Sequence, residues 1–264
     1  MCLIAWNWQP ANQSLLLLAN RDEFYARPAL PLHWWADGTV LAGRDLQGGG
    51  TWLGLGGSGR LAALTNYRLP EVAPGDKPSR GHLVADFLRG DLDAASYLAS
   101  VHSRAANYQP FNLLVFDGRQ FMGLQSRQGM PFHVPEGIGG VSNADFNTPW
   151  PKLQKLKARL QQGGPMTPDA TQAWLTMLQD RTPAADADLP RTGVSLELER
   201  LLSSCWIQST AYGTRASSVV LLQAQQASFF EQRYGAQGAL GATHQIFTLA
   251  SPAGPLEAGR LRST

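Results

Sequence analysis

Met1-Cys2-Leu3-Ile4-Ala5-Trp6-Asn7-Trp8-Gln9-Pro10-Ala11-Asn12-Gln13-Ser14-Leu15-Leu16-Leu17-Leu18-Ala19-Asn20-Arg21-Asp22-Glu23 opens the chain and decides how the rest is read. Two apolar runs, Cys2–Trp6 and Leu15–Ala19, flank the turn-rich segment Gln9–Gln13, which predicts a β-hairpin. A hairpin returns the end of its second strand to the start of its first, so Arg21 and Asp22 are expected beside Cys2. Removal of Met1, expected before a small residue, leaves Cys2 with a thiol and a free α-amine. That amine has a pKa of roughly 7.7–8.0 and can act as a base near neutrality. The thiol, at about 8.5, becomes a better nucleophile beside a cation such as Arg21. Adjacent strand residues point to opposite faces, so either Asp22 or Glu23 is placed to reach the amine. Against this stands the commoner fate of a cysteine on an apolar strand, which is to be a small buried hydrophobe.

Composition narrows the class. The chain has 264 residues, 44% of them hydrophobic and eight of them tryptophan, enough for a sizeable core. A net charge of +2 argues against a dedicated nucleic-acid binder. Two cysteines, Cys2 and Cys205, are too few for a disulfide framework and suit a reducing compartment. Apolar runs reach only about five residues, far short of the roughly 20 needed to span a bilayer. A soluble, cytoplasmic protein is the expectation.

Downstream, Arg27–Trp35 reads as a proline-broken connection carrying Trp34 and Trp35, which point to opposite faces if extended. Val40–Asp45 reads as a short strand. Gly54-Leu55-Gly56-Gly57-Ser58-Gly59 matches the G-x-G-x-x-G dinucleotide fingerprint in letters. The next segment, Leu61–Asn66, has the look of a strand, whereas that fingerprint must open a helix; the glycines instead predict a hairpin turn. A loop rich in proline and glycine then runs from Tyr67-Arg68-Leu69-Pro70 to Ser79-Arg80-Gly81. Helices are expected at His82–Arg89 and Asp91–Arg104, then strands at Phe111–Phe116 and Phe121–Leu124 turned by Asp117-Gly118. Gly140–Asn143 ends another strand, and Trp150-Pro151 begins a helix whose basic residues form a solvated face. A further helix opens at Thr167-Pro168-Asp169, with Thr167 as its cap. Residues 182–194 read as loop, Ser195–Ser203 as a short helix, and Ile207–Ser209, Thr214–Leu222, Ser228–Arg233 and His244–Phe247 as strands. No repeat or composition shift divides the chain, and strands at both ends around central helices predict one α+β domain over residues 1–264.

A set of blocks then becomes legible together: Cys2, Asn20-Arg21-Asp22-Glu23, Gly50-Thr51-Trp52-Leu53-Gly54, Ala63-Leu64-Thr65-Asn66-Tyr67-Arg68, Ser79-Arg80-Gly81, Phe111-Asn112-Leu113-Leu114, Ser142-Asn143, Trp150-Pro151-Lys152 and Tyr212-Gly213-Thr214-Arg215. In this order they resemble the NRDE family, the transport-and-Golgi-organisation-2-like proteins. More distantly the layout is similar to N-terminal-nucleophile hydrolases of the penicillin V acylase and bile salt hydrolase kind. The resemblance implies a four-layer αββα sandwich of two mostly antiparallel sheets. It also implies a site at Cys2, Arg21, Asp22, Asn66, Asn143 and Arg215, with no resident cofactor. There Cys2 is the nucleophile, the two asparagines offer oxyanion donors, and the arginines favour a thiolate or hold an anionic group. As structural residues, the asparagines would cap strand-end turns and the arginines would pair with Asp22, Glu23 or Asp45.

Two functions emerge as expectations. One is hydrolysis of an acyl amide or thioester with an apolar acyl chain, Trp34, Trp35, Trp52 and Trp150 supplying apolar surface. The other, from the family's links to haem trafficking and acyl-coenzyme A or lipid metabolism, is carriage of haem or acyl-coenzyme A without turnover. Candidate iron ligands for that role are His33, His82, His102, His133 and His244, none in a recognisable ligand pair, and the Cys2 thiolate is a further candidate axial ligand.

Overall fold

The computed structural model describes residues 2–69, 77–164 and 166–249. Most of the proline- and glycine-rich loop expected after Leu69 lies outside them, as does Met1. The opening stretch forms the expected hairpin, β1 (Cys2–Gln9) and β2 (Ser14–Phe24), in a register that pairs Cys2 with Arg21. β2 runs on to pair with β11 (Tyr212–Gln223), followed by β12 (Gln226–Gly235) and β13 (Gly238–Thr248). β10 (Gly137–Val141) flanks β1 on the other side, completing a six-stranded sheet in the order β10-β1-β2-β11-β12-β13.

The second sheet has seven strands in sequence order: β3 (Ala29–Trp34), β4 (Val40–Asp45), β5 (Leu53–Gly56), β6 (Leu61–Asn66), β7 (Phe111–Phe116), β8 (Phe121–Gln125) and β9 (Phe132–His133). Every named strand pair is antiparallel. β5 and β6 form the hairpin that the glycines predicted, with Gly59 at φ +84° in its turn.

Strand alternation explains the layering. Ile4, Trp6, Trp8, Leu15, Leu17 and Ala19 of the six-stranded sheet meet Leu41, Leu53, Leu55, Leu61 and Ala63 of the other in one core. The opposite face of the first sheet, Leu3, Ala5, Leu16 and Leu18, is covered by Leu153, Leu156 and Leu160 of α3 (Pro151–Gln162) and by Trp174 and Leu178 of α4 (Thr171–Leu178). α1 (Gly81–Arg89) and α2 (Ala94–Ser103) cover the second sheet through Leu83, Val84, Phe87 and Leu98 against Ala62, Leu64, Leu113 and Val115. The result is αββα. Gly54 fits this close packing, since a Cβ there would stand 2.7 Å from Leu88 Cδ1 and would push that side chain aside. No helix of the described residues is long and apolar enough to cross a membrane.

Three local expectations are corrected. Arg27–Trp35 is not a mere connection, because it contains β3; Pro31 is tolerated there because β3 is an edge strand whose register shifts between Leu30 and His33. Ile207–Ser209 is not a strand and makes one isolated bridge, Gln208 with Gly213. Thr167 makes no side-chain cap bond; a short 3-10 turn, Pro168–Ala170, precedes α4. The last helix, α5 (Leu196–Leu201), is capped by Ser195, whose side chain accepts from Leu198 N–H.

Candidate active site

Cys2 begins β1 on the face that looks between the sheets, the face of Ile4 and Trp6. It is 7% exposed, and it lines a cavity of about 580 Å³. Its carbonyl accepts a 3.0 Å hydrogen bond from Ser142 Oγ, which pins the strand's start to the end of β10. Burial pushes the Cys2 thiol up, and the carboxylates of Asp22 and Glu23 add to the rise against Arg21. Such a thiol needs a base to become a nucleophile.

Arg21 stands directly across from Cys2 and also lines the cavity. Its Nη2 lies 3.3 Å from Asp45 Oδ2, to which Arg27 Nε donates at 2.7 Å. Asp45 also accepts from the N–H groups of Gln47 and Gly48. Burial opposes its ionisation, but the Arg27 guanidinium and the Gly48 N–H outweigh it and hold the Asp45 carboxyl below its usual range. Glu23 pairs with Arg27 at 3.8 Å and accepts from Phe24 N–H.

Asp22 turns to the other face of β2. There Thr214 Oγ1 donates to its Oδ1 at 2.7 Å, and the residue is 1% exposed. Extending the Cys2–Arg21 register outward places the Cys2 nitrogen between Arg21 and Asp22. Burial pushes the Asp22 carboxyl up, opposed by the charge of Lys152 on α3. Lys152 is itself 1% exposed, and its Nζ makes no hydrogen bond among the described residues; burial pushes its amine down. Beside this cluster Arg68 Nη1 donates to Glu199 Oε2 of α5 at 2.7 Å.

Asn66 ends β6 and lines the cavity from the second sheet; its side-chain amide makes no hydrogen bond among the described residues. Asn143 does not line the cavity. It is fully buried just past β10, and its Nδ2 donates to the Asn66 carbonyl at 2.8 Å. Arg215 lines the cavity because β11 carries a bulge between Thr214 and Ala216. Its Nη1 donates to the carbonyls of Phe24 and Arg27, both at 2.8 Å. Thus Cys2, Arg21, Asp22, Glu23, Asn66 and Arg215 come together at one cavity, and Asn143 stands behind Asn66.

The tryptophans are distributed differently from the expectation. Only Trp52 of the four lines the cavity among the described residues. Trp34 packs edge-on against Phe247, Trp35 lies under Arg44 and Arg89, and Trp150 lies under Arg68. Trp34 and Trp35 do take opposite faces, one toward each core.

Sequence reasoning did not single out Arg27, Arg80, Lys152, Glu231 or Arg233 as site residues, although Arg80 and Lys152 fell within the family blocks. Arg80 is placed by a close backbone approach: a Cβ at Gly50 would collide with the Gly81 carbonyl, so only glycine lets this loop run against the start of α1. Among the described residues no three His, Cys, Asp or Glu side chains group to hold a metal ion. His33 and His244 are engaged with Pro31 O and Ser228 Oγ, while His82 lines the cavity.

Comparison with known proteins agrees with this architecture. The family described as Transport and Golgi organisation 2 matches residues 1–236. The chain is 34% identical over 260 residues to the Transport and Golgi organization protein 2 homolog of Bos taurus, covering 88% of this chain and 92% of the bovine one. The Homo sapiens homolog is 32% identical over the same length, with the same coverage. Among solved structures, the Caenorhabditis elegans N-acylethanolamine-hydrolyzing acid amidase ortholog superposes with a TM-score of 0.50 at 11% identity, over 68% of this chain and 86% of that one. At that identity the likeness speaks for the fold. With an αββα sandwich like that of the N-terminal-nucleophile hydrolases and a family match running from its first residue to β12, the chain belongs to the Transport and Golgi organisation 2 family.

Proposed function

We propose that this protein hydrolyses an acyl amide or thioester through Cys2, made N-terminal by removal of Met1. The observation that carries this reading is the pairing of Cys2 with Arg21 at the wall of the cavity, with Asp22 one step outward and Asn66 opposite. The Cys2 α-amine takes the thiol proton, and the thiolate attacks the substrate carbonyl. Asn66 Nδ2 donates to the resulting oxyanion, and Asn143 fixes Asn66 through its carbonyl. Losing one such donor typically costs about 10²–10³ in rate. Collapse expels the amine or thiol, which leaves with the proton held by the α-amine. Water then attacks the Cys2 thioester, giving its proton to the α-amine and releasing the acid. Asp22, rather than Glu23, holds the ammonium form, because the Glu23 carboxylate already answers Arg27. Leu30, Trp52, Leu64 and Leu240 give the cavity a limited apolar lining for the acyl chain.

The test is turnover of acyl amides and acyl-coenzyme A thioesters by Met1-free protein. Cys2→Ala should abolish it and Cys2→Ser should lower it sharply with binding retained. Asn66→Ala should lower kcat by about 10²-fold. Micromolar binding of haem or acyl-coenzyme A with no turnover of any substrate would replace this reading with that of a carrier.

A further inference from the structure

The cavity beside Cys2 holds more positive charge than its own carboxylates answer. Arg21 and Arg27 are matched by Asp45 and Glu23. Arg80, Arg215 and Arg233 also line the cavity, and none has a carboxylate within 4.0 Å among the described residues. Arg80 Nη1 donates to the Pro110 carbonyl and Arg215 Nη1 to those of Phe24 and Arg27, neutral acceptors; Glu23, the carboxylate that acts on both, does so from beyond ion-pair distance and is already paired with Arg27. Arg233 Nε is buried with no hydrogen-bond partner among the described residues. Of the remaining acids in the lining, Asp22 accepts from Thr214 Oγ1 and stands near Lys152, and Glu231 is 4% exposed and turns its Oε1 to Leu32 N–H at 2.8 Å; burial pushes both carboxyls up.

These three arginines come from three elements: the residue before α1, the bulge of β11 and the end of β12. A chain folding for stability alone gains nothing by directing three guanidiniums without a paired carboxylate into one cavity. An anion from outside would relieve the repulsion that Arg80 has from Arg27 and Arg215 from Arg21 and Arg233. A planar guanidinium fork matches carboxylate and phosphate oxygens in pairs. α1 also begins in this wall, through Gly81 and His82, adding the positive end of a helix dipole.

Given the reaction proposed above, we infer that Arg80, Arg215 and Arg233 form an anion subsite, which selects substrates carrying a carboxylate or phosphate group beside the carbonyl that Cys2 attacks. This deepens the hydrolase reading by naming its substrate class: an anionic acyl amide or thioester.

The experiment compares alkylation of Cys2 by iodoacetate and iodoacetamide, with peptide mass mapping to separate Cys2 from Cys205. The reagents deliver nearly the same group and differ by one negative charge, so the ratio of their rates reads the local potential. Arg80→Gln/Arg233→Gln should lower the iodoacetate-to-iodoacetamide ratio about tenfold, whereas Arg80→Lys/Arg233→Lys should retain most of it. Calorimetric titration of the wild type with pyrophosphate and with succinate identifies the preferred anion, and binding should be lost in the Gln double variant. An unchanged ratio together with no binding of either anion overturns the subsite. Should Cys2 resist both reagents while pyrophosphate or succinate binds in an arginine-dependent way, the subsite stands and the nucleophile reading falls.

Discussion

Arg21 and Asp22 are neighbours in β2 and face different surroundings. Arg21 faces the cavity between the sheets, paired with an Asp45 that keeps partial access to water. Asp22 reaches the cavity wall but turns its carboxyl toward α3, bonded to Thr214 and near Lys152. Depth of burial sorts the carboxyls in the same way. Asp45, partly exposed and held by guanidinium and backbone donors, is pulled toward the anion; Asp22 and Glu231 also stand near cations, but their deeper burial outweighs them and pushes both toward the acid. One strand end therefore separates two tasks. Its cavity face presents charge to a ligand, and its hidden face sets the protonation of the group behind the nucleophile.

The sharpest way to break this division is on the hidden face. Asp22→Asn keeps the Oδ1 acceptor for Thr214 but removes the charge that holds the Cys2 ammonium. Turnover should fall by about 10²–10⁴-fold, the usual scale of acid–base catalysis, while far-ultraviolet circular dichroism stays native. Next in size is the buried pair beside it. Glu199→Ala removes the carboxylate 2.7 Å from Arg68, with both side chains about 5% exposed or less, and should cost about 3 kcal/mol in urea unfolding.

The cavity face should respond less. Asp45→Asn should cost about 1 kcal/mol at pH 7, as expected of a partly exposed pair. The sign of its pH dependence follows from its lowered pKa: the stabilisation is present above pH 3.8 and is lost as pH falls through the folded-state value. The variant and wild type should thus converge in acid. Glu231 has the opposite sign. Its raised pKa gives stability present below pH 4.5 and lost as pH rises through the folded-state value. Glu231→Gln keeps an acceptor for Leu32 N–H and should raise Tm slightly at pH 7 and leave it unchanged at pH 4. A Tm gain that is larger at pH 4 would contradict the assignment.

Much of this contrast was readable in advance, and the unreadable parts have physical causes. Apolar runs on either side of Gln9–Gln13 predicted the hairpin and brought Arg21 to Cys2, because register in a hairpin follows from its turn and its buried face. The opposite facing of adjacent strand residues left Asp22 and Glu23 undecided as partners of the amine; their actual partners, Thr214 and Arg27, lie 192 and 4 residues away, and only the first decides the face. Arg215 reached the cavity through a bulge, which inserts a residue without any composition signal. The Asn143 amide turned to the Asn66 carbonyl rather than to the cavity, a choice made by rotamer and neighbour. Arg80 and Arg233 were illegible as site residues because their convergence depends on where α1 begins and β12 ends in space. Tryptophan count misled for a related reason: Trp34, Trp35 and Trp150 fill cores or lie under guanidiniums, so composition overstated the apolar cavity.

The central claim is that Cys2 is a nucleophile whose own α-amine serves as its base. Peptide mass spectrometry after incubation with acyl-coenzyme A thioesters tests it directly, using matched preparations with Met1 removed and Met1 retained. The account predicts an acyl adduct on Cys2, and none on Cys205, in the Met1-free protein alone. Equal labelling of Cys2 in both preparations, or no adduct on Cys2 in either, would contradict it.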